Sequence, residues 1–317
     1  MKPSLAIVIV NWNSGPLLAR SLASVAAAER GTFALERVVV VDNSSDDESM
    51  GEVADPGCVL AVVQNTRNHG FARACNQGAR LCNADYLLFL NPDVQLSAGS
   101  LAEPIAFLEQ NGDVAICGIK LIDAEGRDSA SCARLPSAGR LIRQVLGLDR
   151  LFPRLFPPCF LTPAELKASR PVEQISGACF FVRRSVYDLL EGFDERYFMY
   201  FEEVDFSLRA RIQGYASYYL STVTAGHVGG ACTGRVKGRR LLYLLNSRLA
   251  FARKHFSRPA YLCVWWATLA LEPWVRITRA ALRGALDEAG DTLEAYGALY
   301  SSLMKSRPRA RVREGCA

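Results

Sequence analysis

The chain has 317 residues, of which 50% are hydrophobic and 22% are charged. This size and balance suit one large globular domain or two modest ones, and they exclude a disordered chain. The formal net charge of +5 is unevenly divided: residues 1–234 carry 21 basic and 26 acidic side chains (net −5), and residues 235–317 carry 16 and 6 (net +10). We therefore expect a mildly acidic body followed by a basic extension that meets an anionic partner.

The N-terminus and the cysteines argue against a secreted or membrane-spanning protein. The opening MKPSLAIVIVNWN has only a short apolar run, which predicts a first strand and not a signal peptide. No run reaches the roughly 20 apolar residues that cross a bilayer. The ten cysteines include no CxxC pair, so neither a zinc module nor a disulfide framework is indicated. We expect a cytoplasmic protein with reduced thiols.

Apolar runs alternate with helical segments in the first part of the chain. The apolar runs predict strands, and segment 70–81 predicts a helix. Another helix follows the first strand, with Ser14 as its cap and Pro16 in its first turn. This alternation predicts a mostly parallel α/β sheet flanked by helices. The predicted strands are LAIVIV (5–10), RVVVVDN (37–43), VLAVVQN (59–65), YLLFL (86–90) and DVAICG (113–118).

The middle of the chain has a different pattern. Residues 130–172 contain six prolines, which predict an irregular excursion over the sheet that lines an acceptor site. Order returns at 175–185, a predicted strand. Residues 200–215 predict a helix with acids at its start and Gly214 as its stop, followed by a strand at 216–222.

The basic extension combines apolar, tryptophan and arginine residues. Segment 258–286 holds an uncharged run, 260–271, followed by Trp274 and several arginines. Such a segment is either an amphipathic helix packed on the body or an interfacial helix on an anionic membrane. Residues 305–317 predict a disordered basic end. No nucleic-acid motif accompanies the charge, so we expect no nucleic-acid partner.

Polar side chains directly follow four of the predicted strands, namely Asn11, Asp42, Asn65 and Asp93. Ligands of parallel α/β sheets bind beyond the carboxyl ends of the strands. No GxGxxG follows the first strand and no P-loop is present, so neither a dinucleotide fold nor a P-loop NTPase is indicated. Segment 91–93, Asn-Pro-Asp, fits a plain turn, and it also fits a site for Mg²⁺ or Mn²⁺ on a diphosphate. Asp42 fits a solvated acidic loop or a nucleotide contact.

A second group of candidates lies later in the chain. Glu202, Glu203 and Asp205 begin the predicted helix at 200–215, where acids often serve only to complement the helix dipole. Their aromatic neighbours would also raise a carboxylate pKa, which would permit general acid or base chemistry. His227 lies in a glycine-rich segment, where backbone can approach a ligand closely.

Five motifs and a late histidine, six pieces in this order, resemble glycosyltransferase family 2, and most of all its bacterial rhamnosyltransferase-like branch. The resemblance covers roughly residues 4–255, and its most specific part is 175–215. It implies a GT-A fold with a mostly parallel mixed sheet, and inverting sugar transfer without a covalent intermediate. The motifs are VIVNWNS, VVVVDNSSDD, NTRNHGFARACNQG, LFLNPDV and ISGACFFVRRSVYDLLEGFDERYFMYFEEVDFSLRARIQGY, with His227 after them.

The resemblance implies a donor site at the edge of the sheet. Asn11 and Asp42 would hold the nucleotide, with Asp42 on the base. Asp93 would be the principal ligand of Mg²⁺ or Mn²⁺, and His227 a later contact to metal or diphosphate. The first acid of the family's DxD element is Asn91 here, which leaves Asp93 as the only anionic ligand of that motif. The further nucleotide-sugar-binding residues would be Asn68, Gly70, Asn76, Asn91 and Gly177.

The resemblance also implies a catalytic base. Glu203 would accept the proton of the acceptor hydroxyl as that oxygen attacks the anomeric carbon, and Asp205 would orient the helix or the acceptor. The family more often has Asp at the base position, so Glu202 remains an alternative to Glu203.

The expected function is that of an inverting, metal-dependent glycosyltransferase of cell-envelope polysaccharide synthesis. The favoured donor is dTDP-rhamnose, with UDP-sugars next, and the acceptor is a saccharide or lipid-linked saccharide. The enzyme would act as a peripheral protein at the inner face of the cell membrane. The expected domains are a catalytic domain at 1–234, with a nucleotide-binding part to about 118 and an acceptor part from about 119, and the extension 235–317.

Three other functions fit the sequence less well. A processive polysaccharide synthase would have multiple membrane spans and a QxxRW-type element. A nucleotidyltransferase would need a glycine-rich basic loop after the first strand, and NWNSGPLLARS is not such a loop. A sugar-nucleotide-binding protein with decayed catalysis is the non-enzymatic alternative, and the presence of Asp93, Glu203 and His227 in one chain argues against it.

Overall fold

The computed structural model describes residues 2–51, 53–229 and 237–305. The predicted basic end therefore lies outside the described residues from 306 onward. The strands are β1 (Ser4–Asn11), β2 (Ala34–Asp42), β3 (Val59–Gln64), β4 (Tyr86–Leu90), β5 (Val94–Leu96), β6 (Val114–Ile122), β7 (Cys132–Ala133), β8 (Arg170–Val172), β9 (Gln174–Ile175), β10 (Cys179–Arg183) and β11 (Ala216–His227). The helices are α1 (Leu17–Ala27), α2 (Phe71–Ala79), α3 (Ala102–Gln110), α4 (Ala138–Val145), α5 (Leu148–Leu151), α6 (Arg184–Leu189), α7 (Glu202–Ile212), α8 (Lys237–His255), α9 (Arg258–Trp266), α10 (Glu272–Leu282) and α11 (Leu286–Lys305).

One mixed sheet organises the body, with strand order β3-β2-β1-β4-β10-β6-β11-β5 and with β8 paired to β11. The β1–β2, β2–β3, β1–β4 and β6–β11 pairs are parallel. Strand β10 lies between β4 and β6 and is antiparallel to both. The predicted mostly parallel sheet is confirmed, and the insertion of β10 makes it mixed.

Strand β1 is covered on both faces, which explains its continuous apolar run. Leu5, Ile7 and Ile9 belong to the core that includes side chains of α1 and α3. Ala6 and Val8 point to the opposite core, which includes side chains of α2 and α7. The carboxyl ends of β1 and β2 are in register, with Asn11 opposite Asp42.

Two local predictions were wrong. The hydroxyl of Ser14 does not cap α1, because it donates to Oδ1 of Asn11 at 2.5 Å and Pro16 occupies the N-cap position. Segment 130–172 is not wholly irregular, since α4 and α5 lie within it. Helix α4 is capped by the Ser137 side chain, and its apolar residues four apart, Leu141 and Val145, are buried.

The C-terminal helices pack on the body. Phe251 of α8 is buried against Tyr197 and Val204, and Oγ of Ser247 donates to the carbonyl of Met199 at 2.8 Å. The predicted helix at 258–286 is confirmed as α9 and α10, joined by a π-helical turn at 267–271. Among the helices of the described ranges, none is long and apolar enough to cross a membrane.

Candidate active site

The first part of the site lies at the carboxyl ends of β1 and β2. Nδ2 of Asn11 donates to Oδ1 of Asp42 at 3.0 Å and to the hydroxyl of Ser49 at 2.9 Å. The Ser45 hydroxyl donates to the same Asp42 oxygen at 2.6 Å. The backbone N–H of Ser45 donates to Oδ2 of Asp42 at 3.2 Å. The acidic loop after β2 is therefore folded over the strand ends, where it fixes the Asp42 carboxylate. Its contact with a nucleotide stays a prediction.

The start of α2 approaches the loop that leads to α7. Gly70 has φ +87°, and a Cβ on this residue would lie 2.5 Å from the carbonyl oxygen of Phe198. The Phe71 N–H donates to that same oxygen at 2.6 Å, so only glycine fits at position 70. Oδ1 of Asn68 accepts from the Gly70 N–H at 2.8 Å and orients this turn.

Asn76 is buried within α2, and its side-chain amide is fully used by protein groups. Its Nδ2 donates to the Phe193 carbonyl at 2.8 Å and to the Glu195 carboxylate at 3.1 Å. Its Oδ1 accepts from the Tyr187 hydroxyl at 2.5 Å and from the Phe193 N–H at 3.0 Å. These bonds fix the loop after α6, so any effect of Asn76 on donor binding would pass through that loop.

Asp93 and His227 come together at the far side of the same sheet edge. Strand β11 pairs with β5 so that His227 lies opposite Val94. Nε2 of His227 is then 3.5 Å from Oδ1 of Asp93, a carboxylate that is only 6% exposed. Nδ1 of His227 is buried and has no hydrogen-bond partner among the described residues. The predicted proximity of these two residues is present.

Segment 176–178 connects the sheet edge to α7. The Asn91 N–H donates to the Ala178 carbonyl at 2.9 Å. A Cβ built on the neighbouring Gly177 would lie 3.8 Å from Cβ and Cγ of Glu203. The Asn-Pro-Asp turn and the Glu203 side chain thus both lie against segment 176–178.

Glu203 and Glu202 are in contrasting environments at the first turn of α7. Burial raises the pKa of Glu203 to about 7. Burial, and then the neighbouring Glu203 charge, raise the pKa of Glu202 well above its usual value. Glu202 is 5% exposed, whereas Glu203 is half-buried and lines a cavity. Of the two acids, Glu203 is the one whose pKa is raised to about 7 and which lines the cavity.

The backbone before Glu202 has an unusual conformation. Tyr200 and Phe201 have φ of +67° and +70°, a region that non-glycine residues seldom adopt. Such conformations persist only when the surrounding structure fixes them, and they cluster at active sites. Here they follow the Phe198 carbonyl that contacts Gly70, so they set the position of both glutamates relative to α2.

Asp205 has a different role from its two acidic neighbours. It is fully buried, and its carboxylate contacts Tyr197, Arg209, Lys254 and His255. It does not line the cavity. Its geometry supports the orienting role and leaves no carboxylate oxygen open to a substrate.

A cavity of about 1080 Å³ lies between the segment around α4 and α5 on one side and α8 and α10 on the other. Its walls include Glu203, Gln174 and Phe201 from the body. This volume is at the upper end of the usual range for small-molecule sites. Glu203 therefore lies in the wall of a space large enough for a small molecule.

Comparison with known families identifies the class of this site. The family model for glycosyl transferase family 2 matches residues 6–190, which is more than half of the chain. The chain belongs to glycosyl transferase family 2. As a member of this family it is a glycosyltransferase, and the match includes the Asn-Pro-Asp turn and ends before α7 and His227.

Two curated relatives of this family 2 glycosyltransferase extend the match through most of the chain. The N-acetylglucosaminyl-diphospho-decaprenol L-rhamnosyltransferase of Mycobacterium tuberculosis is 28% identical over 325 residues, covering 98% of this chain and 97% of the relative. The low-salt glycan biosynthesis hexosyltransferase Agl10 of Haloferax volcanii is 26% identical over 263 residues, covering 81% and 78%. The predicted resemblance to the rhamnosyltransferase-like branch is confirmed.

Solved structures confirm the GT-A fold of the family 2 chain. The mannosyltransferase PcManGT from Pyrobaculum calidifontis, in complex with GDP-Man and Mn²⁺, has a TM-score of 0.56 at 18% identity, covering 98% of this chain and 82% of that one. GalNAc-T7 with UDP, GalNAc and Mn²⁺ has a TM-score of 0.53 at 16% identity, covering 71% and 44%. Likeness at this identity concerns the fold alone.

Several residues of the site carried no local signal in the sequence. Gln174 approaches Glu203, with 3.5 Å between Nε2 and Oε1. Ser45 and Ser49 belong to the polar loop after β2, where Ser45 bonds Asp42 and Ser49 bonds Asn11. Lys254 and His255 come from the basic extension, and nothing in their surroundings indicated a contact with Asp205. Their arrangement depends on long-range packing.

Proposed function

We propose that this glycosyltransferase moves rhamnose from dTDP-rhamnose to a hydroxyl of a saccharide or lipid-linked saccharide, with inversion and with a divalent metal ion. The observation that carries the proposal is the position of Glu203. Its Cβ and Cγ lie beside Gly177, next to the Ala178 carbonyl that binds the Asn-Pro-Asp turn, and the residue also lines the large cavity. A base between a donor site and an acceptor space is what direct transfer requires.

The donor would lie along the carboxyl ends of β1, β2 and β4. Asn11 and Asp42 would bind the nucleotide, and the turn at 68–70 would lie near the ribose and diphosphate. Asn91 and Gly177 would contact the sugar diphosphate. The names of the relatives from M. tuberculosis and Escherichia coli, both rhamnosyltransferases, support rhamnose as the transferred sugar. A UDP-sugar is the alternative donor.

The residues at Asp93 fit a divalent metal. Across the described ranges, no group of three or more His, Cys, Asp and Glu side chains is arranged to hold an ion. One carboxylate and one imidazole are nevertheless suitable partners for an ion whose other ligands are diphosphate oxygens and water. The 3.5 Å gap between Nε2 of His227 and Oδ1 of Asp93, which exceeds a normal hydrogen bond, agrees with this use. When bound, Mg²⁺ or Mn²⁺ would neutralise charge on the leaving diphosphate.

Glu203 would act on the acceptor. Its ionised carboxylate would accept the hydroxyl proton while the acceptor oxygen forms its bond to the anomeric carbon and the bond to the diphosphate breaks. A pKa near 7 leaves a useful fraction of base at neutral pH while keeping the carboxylate basic. Burial raises the pKa of the neighbouring Glu202 well above its usual value, which would disfavour a second negative charge at the site.

The acceptor side would meet a membrane surface. Trp274 and Leu282 of α10 are 70% and 84% exposed, and both line the cavity with several arginines. Exposed apolar side chains next to arginines are typical of interfacial helices on anionic lipid. The enzyme would then act as a peripheral protein on the cytoplasmic face, in synthesis of a cell-envelope polysaccharide. The M. tuberculosis relative is named for a diphospho-decaprenol acceptor, which supports a lipid-linked substrate.

Calorimetric titration with dTDP, UDP and GDP, with and without Mn²⁺, tests the donor side. We expect dTDP to bind more tightly than the other two, and only with metal. Incubation with dTDP-rhamnose and a detergent-dispersed polyprenyl-diphospho-sugar, followed by mass spectrometry, should then show the addition of one deoxyhexose. Selective binding of UDP would identify a UDP-sugar, and not dTDP-rhamnose, as the donor. Nucleotide binding without transfer to any acceptor would favour the decayed sugar-nucleotide-binding protein.

A further inference from the structure

The cavity beside Glu203 has a strong excess of positive charge. Seven arginines line it, against two glutamates. One of the glutamates, Glu272, is already used, because its two oxygens bind Arg248 and Arg276. A cleft lined by one sign of charge concentrates ligands of the opposite sign. The seven arginines are Arg134, Arg150, Arg240, Arg248, Arg276, Arg279 and Arg283.

Three of these arginines have no carboxylate within 4.0 Å in the part of the chain that the structure describes: Arg150, Arg240 and Arg283. They come from three different elements or their ends, α5, α8 and α10, and face one space. Arg279 has a single carboxylate, on Glu288, at 4.0 Å. The arrangement therefore leaves several guanidinium groups available to an anion from opposite walls.

Buried donors provide an independent indication. Arg248 is 4% exposed, and its Nε has no hydrogen-bond partner among the described residues, although its other nitrogen binds Glu272. Nε of Arg279 is also buried without a partner. Buried polar groups are nearly always hydrogen-bonded, so unused donors of this kind indicate a missing acceptor. Arginine pairs with phosphate oxygens through such N–H groups.

The same cavity has extended apolar walls. Leu141 and Val145 of α4 face Leu241 and Leu244 of α8 across it. Toward the surface the lining continues to the exposed Leu151, Trp274 and Leu282. A ligand that fits both features has an anionic group for the arginines and an apolar chain that leaves past α5 and α10.

We propose that the arginines of α8 and α10 bind the diphosphate of a prenyl-type carrier on the acceptor, with its apolar chain along the leucine walls. This inference rests on the proposed function for the identity of the acceptor, and it assigns the residues that bind the diphosphate. The diphosphate is then held within the same cavity as Glu203, which would bring the attached sugar hydroxyl to the base.

Binding of farnesyl diphosphate, measured by calorimetry below its micelle concentration, tests the site without any turnover. The titration is made without divalent metal, so that the donor site, where nucleotide binding is expected to require metal, does not contribute. Farnesol and inorganic diphosphate are the comparison ligands. We expect farnesyl diphosphate to bind at least tenfold more tightly than either of them.

The matched variants carry equal losses of charge. Arg279→Gln with Arg283→Gln should weaken farnesyl diphosphate binding at least tenfold. Arg253→Gln with Arg258→Gln removes two arginines that do not line the cavity, and it should change binding less than twofold. Circular dichroism of each variant checks that the fold is retained.

Each other outcome overturns the assignment. Equal affinity for farnesol would mean that the arginines bind no anion, and equal affinity for inorganic diphosphate would mean that the site takes a free anion without a lipid. Equal weakening of farnesyl diphosphate binding in both double variants would mean that the ligand is attracted by the general positive charge of the surface and not by the cavity. Binding as predicted, together with no sugar transfer, would uphold this site and reject the proposed function.

Discussion

Nε2 of His255 lies 2.6 Å from Oδ1 of Asp205, and this contact joins the last turn of α8 to the first turn of α7. Lys254, next to it, lies 2.6 Å from the same oxygen and 2.7 Å from Asp194. Two consecutive residues of the basic extension thus fix the helix that carries Glu203. The extension is therefore part of the framework of the active site.

Replacement of Asp205 should destabilise the protein strongly. In Asp205→Asn the cations Arg209 and Lys254 and the His255 imidazole lose a buried anionic partner, and breaking buried pairs of this kind costs about 3–5 kcal/mol. Urea unfolding followed by circular dichroism measures the free energy of unfolding. Asp188→Asn is the control, because Asp188 pairs with Arg184 at the surface and should cost about 0–1 kcal/mol.

The same carboxylate gives an acid-dependent stability. Burial would raise the pKa of Asp205, but hydrogen bonds from His255 and Lys254 and the charge of Arg209 lower it to about 2. A carboxylate whose pKa is lower in the folded than in the unfolded protein stabilises the fold at pH values above its unfolded pKa. The contribution of Asp205 is therefore complete above about pH 4 and is lost as the pH falls toward 2. Unfolding curves between pH 2 and 5 should show a steeper loss for the wild type than for Asp205→Asn. Parallel curves would contradict this assignment.

Loss of Glu203 should remove transfer while leaving donor binding intact. Glu203→Gln keeps the shape of the side chain but cannot accept a proton, so kcat should fall by about 10²–10⁴-fold. Affinity for dTDP should change less than twofold, since Glu203 lies on the acceptor side. Glu202→Gln is the matched variant: burial disfavours the charged form of Glu202 and the residue does not line the cavity, so a change in kcat of less than tenfold is expected. A larger loss of kcat in Glu202→Gln than in Glu203→Gln would identify Glu202 as the base.

The pH dependence of the rate follows from the same residue. The base acts in its ionised form, and burial raises the pKa of Glu203 to about 7. Log kcat/KM should therefore rise with unit slope below about pH 7 and level above it. Measurement of initial rates from pH 5 to 9 locates the midpoint. A rate independent of pH between 5 and 8 would exclude Glu203 as the base.

Metal dependence should be sensitive to both ends of the Asn-Pro-Asp turn. Asp93→Asn removes the anionic ligand of the turn, so the Mn²⁺ concentration for half-maximal transfer should rise at least tenfold, and EDTA should abolish transfer in the wild type. Asn91→Asp adds a carboxylate and should lower that concentration. Titration of activity with Mn²⁺ measures both. Unchanged Mn²⁺ dependence in Asp93→Asn would remove Asp93 from the metal site.

Gly70 is a sharp test of how α2 meets the loop before α7. A Cβ at this position would lie 2.5 Å from the Phe198 carbonyl oxygen, in addition to the cost of φ +87°. Gly126→Ala is the control, because Gly126 has φ +77° with nothing within 4 Å of the added Cβ. Gly126→Ala should cost about 1 kcal/mol of unfolding free energy and leave dTDP binding unchanged. Gly70→Ala should lower the unfolding free energy by more than Gly126→Ala does, and it should also weaken dTDP binding. Equal effects of the two variants would show that the contact between position 70 and the Phe198 carbonyl is unimportant.

The main strands could be predicted because buried parallel strands are continuous apolar runs with clear ends. The sequence could not predict β5, β7 or β9, which have two or three residues and no pattern of their own. Strand β10 was predicted, but its place between β4 and β6 depends on packing between distant segments. The contact of His227 with Asp93 likewise requires β11 to extend to β5.

The candidate site divides in the same way. Residues that follow strands, such as Asp42 and Asp93, could be predicted because the topology of parallel sheets brings strand ends together. The preference for Glu203 over Glu202 as the proposed base depends on burial and cavity lining, which the sequence could not provide, since both carboxylates occupy the same helical turn. The arginine cavity could not be predicted at all, because its seven arginines are separated along the chain and form no local motif.

Association with membranes should depend on the exposed side chains of α10. Trp274 and Leu282 are 70% and 84% exposed, and burial of a large apolar side chain contributes roughly 1.5–3 kcal/mol. In a flotation assay with anionic vesicles, Trp274→Ser with Leu282→Ser should lower the partition coefficient at least tenfold. Ile212→Ser is the control, since Ile212 is 68% exposed at the end of α7 and outside the cavity lining.

Salt separates the two contributions to this binding. The arginines of α10 attract anionic lipid over a Debye length of about 10 Å at 0.1 M salt, which falls to about 3 Å at 1 M. Binding of the wild type to vesicles should therefore weaken as NaCl rises. The part of the binding that persists at high salt should be the part that Trp274→Ser with Leu282→Ser removes. Equal loss in Ile212→Ser would mean that no particular face binds the vesicle. Absence of the wild type from anionic vesicles at low salt would place the acceptor reaction away from the membrane surface.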